Sequence, residues 1–201
     1  VRSGRKIRVE EKIAGRAGAE TWIETIKMPI RDERGEVYGI VGIARDIMER
    51  RQAEAALRES EERFRSIFEQ SIVGIVTTVH GSHFIMSANQ AFREMLGYSE
   101  SEIRSLRFED ITHPDDLGAE LELITQTLSG KLSGYSLEKR YLARDGGVVR
   151  GRVTASHVYD GDGRPLFAVA IVEDVTDRKR AEEALRESEQ TLRTLINANP
   201  E

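Results

Sequence analysis

One stretch that returns almost unchanged constrains this chain more than its composition does. Residues 53–64 read AEAALRESEERF and residues 181–192 read AEEALRESEQTL, a constant offset of 128 residues. The same offset aligns Asp32 with Asp160, Gly35 with Gly163, Val41 with Val169, Ile43 with Ile171 and Asp46 with Asp174. Self-similarity at a fixed period marks a unit that recurs. A module and the helix that leaves it are therefore repeated, and the chain cuts across an array.

Residues 1–30 read as strands with a turn at 15–18, and residues 21–30 are rich in β-formers. Asp32-Glu-Arg-Gly35 is a turn, and 37–43 is an apolar run suited to a buried strand. Three strands close too little core to stand alone. Residues 1–46 are accordingly expected to be the back half of a module.

From about Ile47 the period becomes helical. Ala53, Leu57, Ser60, Phe64, Ile67 and Ser71 follow the 4-3 spacing of a coiled-coil seam, and Ala181, Leu185, Ser188, Leu192 and Leu195 repeat it. Glu54–Arg58, Glu59–Arg63 and Glu61–Arg65 have favourable i,i+4 order. Either a single amphipathic helix lies on its own domain, or two parallel helices pair in a homodimer. The seam favours the dimer, through Ala53, Leu57 and Phe64 in one helix and Ala181, Leu185 and Leu192 in the other.

Beyond residue 71 the order is two strands (72–79 and 84–87), several short helices, then three strands (135–144, 148–159 and 166–175). Asn89 and Gly97 bracket a short helix, Ser99 and Glu102 have capping-box spacing, and Pro114 opens a longer helix striped by Leu117, Leu121, Ile124 and Leu128. This is an α+β pattern: an antiparallel sheet with helices on one face, flanked by amphipathic, coiled-coil-like linker helices.

Composition removes several function classes. The chain has no cysteine, which excludes disulfides, thiolate metal sites and thiol nucleophiles. Its net charge is −5, and no basic patch is interleaved with aromatics, so nucleic acid is not an expected partner. No apolar run reaches the roughly 20 residues of a membrane span, so no membrane contact is expected within the fragment and a cytoplasmic setting is. No nucleophile–base–orienter set and no glycine-rich phosphate loop emerge, which argues against an enzyme. Asp160-Gly-Asp-Gly163 opens like a calcium loop, but Arg164 and Ile171 stand where oxygen ligands belong, so it reads as a hairpin turn and no metal site is expected.

Several motifs now resemble one family. Asn89-Gln-Ala-Phe92, Gly97-Tyr-Ser-Glu-Ser-Glu-Ile103, His113-Pro-Asp-Asp116, Glu138-Lys-Arg-Tyr141 with Asp145-Gly146, and Asp174-Val-Thr-Asp-Arg-Lys179 occur in order. They are similar to PAS domains with a C-terminal PAC half. The resemblance divides the chain into a PAC half (1–46), a linker helix (47–60), a complete PAS domain (61–176), and an exit helix with the start of another PAS domain (177–201), seen in Asn197-Ala-Asn-Pro200. It implies a five-stranded antiparallel sheet and a sensory or relay role in a multidomain signalling protein. The output, a histidine kinase or cyclic-dinucleotide enzyme, is expected elsewhere in the same chain. The rival readings are a ligand-free dimerisation spacer and a small-molecule or flavin receptor.

The resemblance also suggests sites. A change in the core is expected to pass through the last strand to the exit helix, with Asp174 pairing with Arg140, Thr176 capping the helix, and Asp46 as the first-copy equivalent. Met48 replaces the threonine there, which suggests a looser junction. A cavity is expected among Phe84, Met86, Phe92, Met95, Ile124, Leu128, Tyr141, Val153 and Phe167, with Gly151 and Ala155 giving room on the sheet. No cofactor is expected. Haem is disfavoured because residues 115–130 hold no histidine, and cysteine-adduct flavin chemistry is excluded. Non-covalent flavin or another small ligand stays open.

Overall fold

The computed structural model describes residues 5–14 and 20–198. The turn expected at 15–18 and the Asn199-Pro200 end of the expected next module lie outside the described residues. The chain divides into two compact units, Val1–Phe64 and Arg65–Glu201.

In the first unit β1 (Ile7–Ala14), β2 (Glu20–Arg31) and β3 (Val37–Asp46) form an antiparallel meander in the order β1-β2-β3. Asp32 Oδ1 accepts the backbone N–H groups of Arg34 and Glu36, and Gly35 supplies the left-handed residue (φ 82°) that closes the turn. Among the described residues of this unit only Thr25 and Ile47 are buried. Helix α1 (Met48–Gln70) starts here. Along it Glu59 pairs with Arg63 as expected, whereas Arg58 turns away from Glu54 to Glu62.

The second unit contains β4 (Gly74–Val79), β5 (Ile85–Ala88), β6 (Tyr135–Leu142), β7 (Val148–Tyr159) and β8 (Pro165–Asp174) in one antiparallel sheet ordered β5-β4-β8-β7-β6. Helices α2 (Gln90–Leu96), α3 (Glu100–Ile103), a 3-10 turn (Phe108–Ile111) and α4 (Pro114–Leu128) cover one face. This is the expected α+β class with a five-stranded sheet. Alternation sends Tyr141, Val153, Ala155 and Val172 inward against Ile85, Phe92, Leu96, Ile103 and Ile111. The β7–β8 turn repeats the device at 32–35: Asp160 Oδ1 accepts from Asp162 and Arg164, and Gly163 has φ 77°.

Local chemistry fixes the helix ends. Asn89 is wholly buried; its Oδ1 accepts from Ile75 N (2.8 Å) and Phe92 N (3.0 Å), and its Nδ2 donates to Phe68 O (3.0 Å) and Val73 O (2.9 Å). One side chain therefore caps α2 and ties the end of α1 to β4. Ser99 and Glu102 form the reciprocal capping box. The edge strand β6 is closed by α4: His113 N donates to Arg140 O, and Arg140 N donates to Asp116 Oδ2. Helix α5 (Thr176–Ala198) leaves β8. No helix among the described residues is long and apolar enough to cross a membrane.

Candidate functional site

Between the sheet and α4 lies a cavity of about 60 Å³. Five of the nine expected residues line it: Phe92, Ile124, Leu128, Tyr141 and Val153. The other four do not, for reasons of alternation. Ile85 points inward, so its neighbours Phe84 and Met86 point out and are well exposed. Ala168 and Ala170 line the cavity from β8, which turns Phe167 to the other face. Met95 packs partly buried against the core without reaching the cavity. Gly151 gives no room either: a Cβ there would lie 2.6 Å from the Tyr141 ring, which fills that space.

The cavity wall is charged as well as apolar. Lys139 Nζ lies 2.5 Å from Glu120 Oε2 and donates to Thr112 Oγ1 at 2.8 Å, while Tyr135 OH donates to Glu120 Oε1 at 3.3 Å. Glu120 is 3% exposed and Lys139 5%. The ammonium also sits 4.4 Å from the Tyr141 ring centre. Burial pulls Lys139 below the usual lysine value, against the carboxylate that holds its proton. Burial pushes the Tyr135 and Tyr141 hydroxyls upward. At the other end His80, His83 and His157 line the cavity. His157 Nδ1 is buried without a hydrogen-bond partner, and burial, then the neighbouring histidines, lowers its pKa. The volume is far below the roughly 300–1,000 Å³ of pockets for drug-sized ligands. It suits a few waters or a very small molecule.

The junction from β8 to α5 differs from the expectation. Arg140 does not pair with Asp174. Strand β7 separates β6 from β8, roughly 10 Å at usual strand spacing, and the register sets Asp174 level with Gly151 and Lys139. Arg140 instead binds Asp116 (3.0 and 2.8 Å) and Asp115 (3.1 Å) at the start of α4. Asp116 falls and Arg140 rises in pKa, each chiefly through that hydrogen bonding. Asp174 Oδ1 accepts from Thr176 N at 2.8 Å, which makes it a capping residue. Val175 N donates to Arg150 O (2.9 Å), and Arg150 N donates to Thr176 Oγ1 (3.0 Å). In the first copy Asp46 Oδ1 accepts from Met48 N, Ile47 N donates to Trp22 O, and Thr21 Oγ1 donates to Asp46 Oδ2. A threonine on β2 thus braces the junction where Met48 lacks a hydroxyl.

The seam positions Ala53, Leu57, Phe64, Ala181 and Leu185 are exposed on their helices; the side chain of Leu192 lies outside the described residues.

Two family profiles, each described as PAS fold, match residues 85–172 and 1–52. Between them they cover well over half of the chain. The chain belongs to the PAS family. Its PAS sequence is 35% identical over 143 residues to the probable diguanylate cyclase DgcE of Escherichia coli (strain K12), covering 71% of this chain and 13% of that protein. It is 30% identical over 141 residues to the sensor histidine kinase TmoS of Ectopseudomonas mendocina, covering 70% of this chain and 14% of that one. The chain therefore spans about one seventh of the length of these curated relatives. A solved PAS domain from Colwellia psychrerythraea matches with a TM-score of 0.54 at 19% identity, covering 58% of this chain and 97% of its own, a likeness of fold.

Sequence reasoning missed the ionic half of this PAS cavity. The signal was present. Glu120 stands three residues after Leu117 and four before Ile124, on the inward face of α4. Lys139 alternates with Leu137 and Tyr141 on the inward side of β6.

Proposed function

We propose that this chain is a sensory and signal-relay segment of a multidomain signal-transduction protein. A change in the core of residues 61–176 passes along β7 and β8 and through Asp174-Val175-Thr176 to α5. The observation that carries this is the hydrogen-bonded weld between helix and sheet: Arg150 holds both Val175 N and Thr176 Oγ1, and the same strand supplies Val153, Ala155 and His157 to the cavity wall. A bistable element that both sites bias is what such a relay needs. The kinase and cyclase names of the relatives support an output domain in the same chain, outside these residues, and a cytoplasmic location. The residues 1–46 then act as the PAC half of a preceding PAS domain, 47–60 as a linker, and 177–201 as an exit helix entering the next module. The exposed Leu57 (62%) and Leu185 (63%) support a parallel homodimer through the linker helices.

The test joins this chain to a reporter histidine kinase and measures autophosphorylation. Ala155→Leu, which fills the cavity, and Thr176→Val, which cuts the weld, are each expected to shift output. Output indifferent to both sinks the relay. Native mass spectrometry reads the oligomeric state, and a monomer at micromolar concentration rules against the dimer.

The buried Glu120–Lys139 pair in the cavity wall favours a second reading, a receptor for a very small polar molecule. The same mass spectrum, with an absorption spectrum, detects a retained ligand.

A further inference from the structure

The motif Glu138-Lys139-Arg140-Tyr141 is only partly used by the relay. Lys139 and Tyr141 face the cavity and Arg140 binds α4. Glu138 lies on the opposite side of β6 from Lys139 and gathers three cations: Lys179 Nζ at 2.7 Å, Arg152 Nη2 at 2.8 Å and Arg178 Nη2 at 2.9 Å. These contacts hold its carboxyl at a pKa of about 2. Two of the cations belong to the first turn of α5.

The first unit repeats the helix side of this arrangement, with Glu24 standing where Arg152 does. Glu10, the counterpart of Glu138 at the 128-residue offset, accepts from Arg50 at 2.7 Å and Arg51 at 2.9 Å. Arg50 and Arg51 are the counterparts of Arg178 and Lys179, in the first turn of α1. The residue following the glutamate is not shared: Glu11 stands where Lys139 does. The glutamate and its two cations therefore recur independently of the cavity pair.

Adjacent cations in a first turn are unfavourable, because they repel each other and oppose the positive end of the helix dipole. Each helix answers these cations partly with its own acids, Glu49 and Glu54 in α1 and Asp177 and Glu182 in α5, and partly with an anion that reaches the first turn from outside the helix. In both units that anion stands on the first strand of the meander, while the helix issues from the third.

We propose that Glu138 and Glu10 are equivalent clasps that dock the first turn of each outgoing helix on the sheet behind it, and that opening the clasp is the step by which the sheet releases the helix. The docking stands on the geometry alone; the regulatory half rests on the relay reading above. Strand β6 then has two sides with two tasks: Lys139 meets the cavity, and its neighbour Glu138 meets the helix.

Hydrogen–deuterium exchange on the whole chain tests this. Glu138→Gln is expected to speed exchange of amides 178–184 about fivefold, the scale of a lost exposed ion-pair contact, and to leave 50–56 unchanged. Glu10→Gln is expected to do the reverse. Raising salt from about 0.1 M to about 1 M, which cuts the screening length from roughly 10 to 3 Å, should speed both helix starts in the unmodified chain and serves if a variant fails to fold. Unchanged exchange in Glu138→Gln, or equal loosening of both helices, overturns the clasp and leaves the relay to its own test. Freed α5 amides with unaltered output of the reporter kinase overturn the regulatory half and keep the docking.

Discussion

Lys139 Nζ and Glu120 Oε2 meet 2.5 Å apart in the wall of the cavity, both side chains almost wholly removed from water. A buried pair is costly to form and costlier to halve, because the survivor is an uncompensated charge. Glu120→Leu alone is expected to lose about 3–5 kcal/mol in urea unfolding. The double variant Glu120→Leu with Lys139→Met should recover most of it. Additive losses in the double variant would show that the two groups do not act as a pair.

Gly151 is required by the Tyr141 ring. A Cβ at this position would lie 2.6 Å from Tyr141 Cε2 and 3.1 Å from Val172 Cγ1. Gly151→Ala is expected to cost about 1–3 kcal/mol by overpacking, measured as a fall in denaturation midpoint. Adding Tyr141→Leu should relieve it, since the obstacle is the ring and not the backbone.

Asn89 makes four hydrogen bonds from a wholly buried site. Asn89→Ala removes a helix cap worth about 1 kcal/mol and strands buried backbone groups at about 1–3 kcal/mol. Asn89→Asp keeps the acceptor for Ile75 and Phe92 but loses the donors to Phe68 and Val73. The Asp variant also sets a buried carboxylate oxygen against Phe68 O and Val73 O, so both variants should be less stable than the native chain; an Asp variant equal to the native chain would remove any role for Nδ2.

His157 titrates below the usual histidine value because burial disfavours its charged form, and His80 and His83 add repulsion. On acidification the unfolded chain takes up this proton first, near pH 6.5. The stability owed to a neutral His157 is therefore complete above that pH and is lost as pH falls through the depressed folded value. Denaturation midpoints measured from about pH 7 to 5 should fall less steeply in His157→Gln than in the native chain. Parallel slopes would count against it.

What the sequence revealed was local. The Asn89 cap on Phe92 N, the left-handed Gly97 that closes on Arg93 O and the Ser99–Glu102 box act within four residues of themselves, and the strands of 135–175 are separated by Asp-Gly turns whose chemistry is self-contained. What it concealed needed strand order. Asp174 and Arg140 look like partners until β7 is found between their strands, and Phe84, Met86 and Phe167 look like cavity residues until the register shows which neighbours face in. Glu120 and Lys139 were passed over because each is a residue type that normally seeks water; only their juxtaposition makes burial tolerable.

Helices α1 (Met48–Gln70) and α5 (Thr176–Ala198) begin at equivalent positions, 128 residues apart, and share the same ALRESE core. A genetic crossover between the two copies, joining residue 56 to residue 185, would excise one whole period. It would leave an unbroken helix of native length and angular phase, with Glu10 still opposite the cations of its first turn. Arrays of this kind can therefore gain or shed sensors by recombination without a single frame of helix register being lost.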